Sequence, residues 1–116
     1  MKLRIKGDAL RLRLSRTEVT RLVKVGSVAE VIHFAPGSSL EYSVATGREL
    51  GVTYAENHIA ITLSAEEVKA WAQSEEDGIY GEAGGALTVT VEKDFACLDR
   101  NDAENADTFP NPKSTC

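Results

Sequence analysis

The first residues of the chain carry basic side chains at alternating positions: Lys2, Arg4 and Lys6, then Arg11 and Arg13. Because alternate residues of a β-strand share one face, this spacing predicts a sheet face that is covered with positive charge. Guanidinium groups offer forked donors that match the oxygens of phosphate and carboxylate groups. We therefore predict an anion-binding site formed by Arg4, Arg11 and Arg13.

The same face has an alternative interpretation in which it is purely structural. Glu41 and Glu92 alternate with apolar neighbours in two later strand-like runs, so they could form cross-strand ion pairs with the N-terminal bases. Exposed ion pairs of this kind contribute little to stability. The sequence leaves both the anion site and the neutralised surface open.

Residues that could bind a metal or act as nucleophiles are few and scattered. His33, His58 and Cys97 share no short metal-ligand spacing, and no local motif supports a Cys–His nucleophilic pair. The acidic run DRNDAENAD, from Asp99 to Asp107, has a composition that suits calcium or magnesium but lacks the glycine and closing acid of an EF-hand loop. GEAGGAL lacks the lysine–serine ending of a phosphate-binding loop. We therefore predict no catalytic residue, no metal site and no cofactor.

A β-hairpin at the start of the chain must position the alternating bases. Leucine and isoleucine fill most of the intervening positions, and Gly7 and Asp8 form a two-residue turn between the two runs. This turn places Arg4 opposite Arg11. The residues that it directs into the core are Leu3, Ile5, Leu10, Leu12 and Leu14.

Two capping boxes, with an offset of 49 residues between Ser15 and Ser64, indicate that one structural plan occurs twice. The first predicts a helix from about Arg16 to Val25, and the second a helix from Ala65 to Gln73. A hairpin precedes each helix and two strand-like runs follow it. The sequence thus predicts an α+β fold with mostly antiparallel sheet and two helices, built from two ββαββ units, with a pseudo-twofold relation left open. Both helices are expected to pack on one sheet through Val19, Leu22, Val23, Val68, Trp71 and Ala72.

The two ends of the chain resemble those of a known group of proteins. KLRIKGDALRLRLSRTEV at the start and VEKDFACLDRNDAENADTFPNP near the end together are similar to the end motifs of small, uncharacterised bacterial proteins. The resemblance covers most of the chain. It implies no established reaction, cofactor or catalytic residue.

Composition predicts one soluble, cytoplasmic domain. The 116 residues carry a formal net charge of -5, and no continuous apolar segment has the form of a secretory signal or a membrane span. The acidic total disfavours nucleic acid as a partner. Cys97 and Cys116 are expected to be thiols. Residues 95–112 are expected to form a C-terminal extension docked on the domain, and residues 113–116 to fray.

Three functional hypotheses follow from the sequence. The leading one is a noncatalytic binding or interaction module that takes a multivalent anion or an acidic protein segment. The alternative is an enzyme that acts on a phosphorylated small molecule, with a divalent metal held by Glu41, Glu92 or the acidic tail. The third is a homo-oligomer that assembles through exposed sheet edges.

Overall fold

The computed structural model describes residues 1–95 and 106–110. Within these residues the elements are β1 (Lys2–Lys6), β2 (Ala9–Leu14), α1 (Arg16–Lys24), β3 (Ser27–Phe34), β4 (Ser38–Gly47), β5 (Gly51–Ala55), β6 (His58–Ser64), α2 (Ala65–Gln73), β7 (Gly78–Ala83) and β8 (Leu87–Lys93). Both helices agree with the predicted bounds to within one residue. No helix in the described ranges is long and apolar enough to cross a membrane. Cys97, Cys116 and the greater part of the acidic run lie outside the described residues.

The eight strands form two four-stranded sheets. Sheet A has the strand order β1-β2-β8-β7, and sheet B has the order β3-β4-β6-β5. Each ββαββ unit therefore contributes its first hairpin to one sheet and its second hairpin to the other. The α+β class and the two units are confirmed. The expectation of a single sheet under both helices is wrong, because the helix of each unit carries the chain from one sheet to the other.

Strand pairing repeats with the 49-residue offset. Leu3 pairs with Leu12 in sheet A, and Val52 pairs with Ile61 in sheet B. In the centre of each sheet, the strand that leads into a helix pairs in parallel with the last strand of the other unit, β2 with β8 and β6 with β4. The two sheets are therefore topologically equivalent, and each contains strands from both units.

Both helices begin at the predicted caps. Ser15 Oγ accepts a hydrogen bond from Glu18 N at 3.2 Å, and Glu18 Oε1 accepts one from Ser15 N at 2.9 Å, which completes a capping box. At α2, Ser64 Oγ accepts a hydrogen bond from Glu67 N at 3.3 Å. The two helices pack on each other and on strands of both sheets. They therefore join the sheets into one structure.

One apolar core lies between the sheets and the helices. Its buried residues come from every layer: Leu10, Leu12, Leu14, Val19, Leu22, Val28, Val44, Ile61, Leu63, Val68, Trp71, Ile79, Val89 and Val91. Two predicted core residues are exposed instead, Ile5 at 56% and Val23 at 42%. Ile5 lies on the edge strand β1 near its hairpin turn, and Val23 lies in the last turn of α1, so both are at the margin of the core. The predicted Ala72 is half-buried against it.

The edges of the two sheets meet at two related seams. At one, the Met1 ammonium donates hydrogen bonds to Glu18 at 2.7 Å and to Glu30 of the edge strand β3 at 2.9 Å. At the other, Leu50 packs on Gly81 of the edge strand β7, where an added Cβ would lie 3.0 Å from Leu50 Cδ2. Leu50 follows Met1 by the same offset of 49 residues. The repeat therefore extends from the strands to the contacts between the sheets.

Candidate functional site

The outer side of β1 and β2 carries the basic residues that the sequence indicates. We call Lys2, Arg4, Lys6, Arg11 and Arg13 the basic face. The hairpin has the predicted register, with Arg4 opposite Arg11 and Lys2 opposite Arg13. The intervening leucines of β2 are buried, so the alternation holds the bases on the solvent side of sheet A. The three arginines of the predicted anion site thus lie on one surface.

Glu92, on the neighbouring strand β8, lies beside two of these arginines. Its Oε1 atom is 3.3 Å from Arg11 Nε and 3.6 Å from Arg13 Nε. This oxygen is buried, yet neither contact has the geometry of a hydrogen bond. One carboxylate therefore faces two guanidinium groups, on the Nε side of each. The terminal nitrogens of each guanidinium group carry four further N–H donors for a ligand oxygen.

The rest of the basic face is only partly neutralised. Lys2 Nζ lies 3.1 Å from Asp94. Among residues 1–95 and 106–110, no carboxylate forms an ion pair with Arg4 or Lys6. Both side chains are exposed. Positive charge therefore remains along the outer edge of sheet A.

Glu41, the other glutamate expected to pair with these bases, lies elsewhere. It belongs to β4 in sheet B, where its Oε2 is 3.7 Å from His58 Nε2. Cross-strand pairing with the N-terminal bases is therefore correct for Glu92 and wrong for Glu41. The physical reason is that each unit contributes one hairpin to each sheet, which places β4 in sheet B and β8 in sheet A.

A row of cross-strand pairs that runs through the basic face ends at an exposed aromatic residue. Arg11 pairs with Thr90, and Thr90 pairs with Tyr80 on the edge strand β7. The Tyr80 residue is 62% exposed. Partial desolvation, followed by the charges of Glu92 and Asp77, raises the pKa of Tyr80, so its phenol is neutral near pH 7. Sequence reasoning missed this neighbour, because its place in the row depends on the parallel pairing of β2 with β8.

A cleft of about 530 Å³ opens beside the basic face, at the seam between β1 and β3. It shares Lys2 and Arg13 with the basic face and is also lined by the start of α1 and by residues 106–108. Asp107 Oδ1 accepts hydrogen bonds from Thr17 N at 3.3 Å and from Thr17 Oγ1 at 3.0 Å. Desolvation opposes ionisation, but these hydrogen bonds lower the pKa of Asp107. The helix N-terminus in the cleft therefore already binds a carboxylate of the chain itself.

A serine–histidine contact lies on the outer face of sheet B. Ser43 Oγ is 2.6 Å from His58 Nε2, the same nitrogen that faces Glu41. In a serine hydrolase the carboxylate binds the opposite ring nitrogen and thereby orients the base. Here both partners share Nε2. The two strands are central ones, so their backbone N–H groups bond to neighbouring strands and are not available as oxyanion-hole donors. The arrangement is therefore that of a polar cross-strand contact.

The divalent-metal site that the enzymatic alternative requires is not formed by residues 1–95 and 106–110. Within residues 1–95 and 106–110, no group of three or more His, Cys, Asp and Glu could hold a metal ion. Glu41 and Glu92 lie on the outer faces of different sheets, so they cannot bind one metal together. His33 lies exposed on β3, apart from His58 on β6. Cys97 and residues 99–105 of the acidic run lie outside the described residues.

Comparisons with known proteins give a family but no activity. A family model described as a family of unknown function (DUF7009) matches residues 1–113. No curated protein and no solved structure matches the chain. The match agrees with the resemblance to uncharacterised proteins, and it points to no specific function.

Proposed function

We propose that this chain, which belongs to the DUF7009 family of unknown function, is a small noncatalytic binding module of the bacterial cytoplasm that takes a multivalent anion on its basic face. The observation that supports this proposal is the cross-strand pairing of Arg4 with Arg11, next to Arg13. Like charges that lie directly opposite each other destabilise a sheet. A bound phosphate group relieves that repulsion and accepts charge-assisted hydrogen bonds from the guanidinium groups.

The charge of the whole chain limits the kind of anion that fits. A formal net charge of -5 repels anions at long range, so the attraction comes from the local field of the basic face. Exposed charges are screened within about 8 Å at physiological ionic strength. A compact anion with several charges is therefore favoured over a long polyanion, and its binding weakens as salt is added.

The direct test is calorimetric titration with inorganic tripolyphosphate at low ionic strength. Arg4→Ala and Arg11→Ala each remove a guanidinium donor, so each is expected to weaken binding about tenfold. Arg48→Ala is the matched control, because it makes the same charge change at an exposed position between β4 and β5. We expect this control to leave the affinity unchanged. Equal affinities for the wild type and both face variants would refute the anion site.

A substitution that strengthens binding gives a second test, which a folding defect cannot imitate. Glu92→Gln removes the carboxylate that faces Arg11 and Arg13 while it keeps the size of the side chain. We expect the affinity for tripolyphosphate to rise severalfold, and to fall again at roughly 0.15 M salt. A lower affinity at low salt would contradict the proposal.

We also propose that the C-terminal extension docks on the domain through Phe95 and residues 106–110; the expected fraying of residues 113–116 falls outside the described residues. Two contacts support this: Phe109 N donates a hydrogen bond to Asp94 O at 2.9 Å, and the Phe95 and Phe109 ring centroids lie 6.0 Å apart, edge to face. Slow amide exchange at Phe109 is the expected result. Fast exchange at Phe109 would contradict docking.

A further inference from the structure

Two arginines of the proposed anion site, Arg4 and Arg11, lie in a row of cross-strand neighbours that also contains an exposed aromatic ring. Arg4, Arg11, Thr90 and Tyr80 lie opposite one another on four successive strands of sheet A. Only β8 separates β2 from β7, so the backbones of Arg11 and Tyr80 are two strand spacings apart, or about 10 Å. Long side chains on these two positions can contact opposite ends of one small molecule.

Charge is distributed unequally across sheet A on the two sides of this row. The β1–β2 half is basic, whereas the β7–β8 half carries Glu82 and Glu92, with Asp77 immediately before β7. Phosphate groups are attracted to the first half and repelled by the second. A neutral aromatic group is not repelled by carboxylates and gains from stacking on the exposed ring. The row therefore selects a ligand that is anionic at one end and aromatic at the other.

We infer that the outer face of sheet A binds a nucleoside polyphosphate, with its phosphates on Arg4 and Arg11 and its base stacked on Tyr80. This inference rests on the proposed anion site and names the ligand class of that site. One tyrosine in the row stacks one base, which fits a single nucleotide. A nucleic acid strand would carry further phosphates towards Glu82 and Glu92, where the charge disfavours them.

The test compares two ligands that share the same phosphate chain. Wild-type protein is titrated with inorganic tripolyphosphate and with a ribonucleoside triphosphate under identical low-salt conditions. We expect the nucleotide to bind about tenfold more tightly, because stacking adds to the contacts of the phosphates. Tyr80→Ala should abolish this preference and leave the affinity for tripolyphosphate unchanged, whereas Tyr80→Phe should retain the preference. Tyr54→Ala, at a tyrosine of sheet B that is 65% exposed, is the matched control and should have no effect.

The outcomes separate this inference from the proposed function. If wild-type protein binds neither ligand, the anion site itself is refuted. If it binds tripolyphosphate as tightly as the nucleotide, or if Tyr80→Ala keeps the preference, the anion site stands and the nucleotide inference is overturned. Tighter binding of a short single-stranded oligonucleotide than of the triphosphate, at equal nucleotide concentration, would also overturn it in favour of a strand-binding surface.

Discussion

Lys93 is 5% exposed, and its surroundings explain how a cation is accommodated on the inner side of β8. Its Nζ donates a hydrogen bond to Ser74 O at 2.6 Å, at the end of α2, and lies 5.9 Å from the Trp71 ring and 5.4 Å from the Phe109 ring. The last turn of α2 has no basic residue of its own, whereas the last turn of α1 has two. Lys93 therefore supplies from a strand the positive charge that a helix C-terminus favours.

The buried amine should give the stability of the protein a specific pH dependence. Desolvation lowers the pKa of Lys93, although the carboxylates of Asp77 and Glu76 oppose the shift. Between this lowered pKa and the ordinary lysine value, the unfolded chain binds more protons than the folded one, so the free energy of unfolding rises with pH. Lys93→Met lacks this contribution. We expect the free energy of unfolding of the wild type, relative to that of the variant, to rise as pH increases towards 10.5, as measured by denaturant unfolding. A relative stability that falls with pH would contradict this assignment.

At the level of elements, the two equivalent hairpin turns share a left-handed residue at their first position but differ at the second, where Asn57 has φ 61° and the equivalent Asp8 has no positive φ. Gly7 has φ +54°, and Glu56, which follows it by the repeat offset of 49 residues, has φ 51°. This left-handed region costs a residue with a side chain about 1 kcal/mol, whereas glycine adopts it freely. The second unit therefore carries local strain that the first unit avoids.

Exchanging the residue types at these turns should change stability in opposite directions. A Cβ at Gly7 meets nothing within 4 Å, so Gly7→Ala should lower the free energy of unfolding by about 1 kcal/mol through the backbone alone. Glu56→Gly should raise it by a few tenths of a kcal/mol, because relief of strain exceeds the added entropy of the unfolded chain. Urea midpoints are the measurement, and Glu56→Ala is the charge control that should leave the midpoint unchanged. A lower midpoint for Glu56→Gly would show that the turn is not strained.

What the sequence predicts at this level depends on the range of the interaction. The two-residue turn determines that Arg4 lies opposite Arg11, and the capping boxes determine where both helices begin, because these are local contacts. The contact of Ser43 with His58 depends on the parallel pairing of β4 with β6, and the row from Arg11 to Tyr80 depends on that of β2 with β8. Apolar alternation gives the buried face of a strand but not the partner of that strand, so these contacts were not predictable.

At the scale of the whole molecule, the exchange of hairpins makes the two units interdependent. Each sheet is completed by a parallel pair between one strand of the first unit and one of the second. The core combines Leu12 and Val91 in sheet A with Val44 and Ile61 in sheet B, so neither unit contains a complete apolar layer. Each unit in isolation would expose an apolar surface that the intact chain buries, and would lack the partner of its central strand.

This interdependence predicts that the two halves of the chain cannot fold alone but can fold together. A cut between residues 49 and 50 gives fragments 1–49 and 50–116 and lies in the exposed segment between β4 and β5. It keeps Leu50 in the same fragment as Gly81, its partner at the second seam. Each fragment alone is expected to show no cooperative unfolding transition. An equimolar mixture should recover helical circular dichroism and a blue-shifted emission from Trp71, which is 2% exposed in the intact fold. The control is a mixture of fragment 50–116 with fragment 1–49 that carries Leu12→Asp, because a charge at that buried position should prevent recovery. A monomeric fragment that unfolds cooperatively by itself would show that one unit is sufficient for the fold, and would contradict the dependence of each sheet on both.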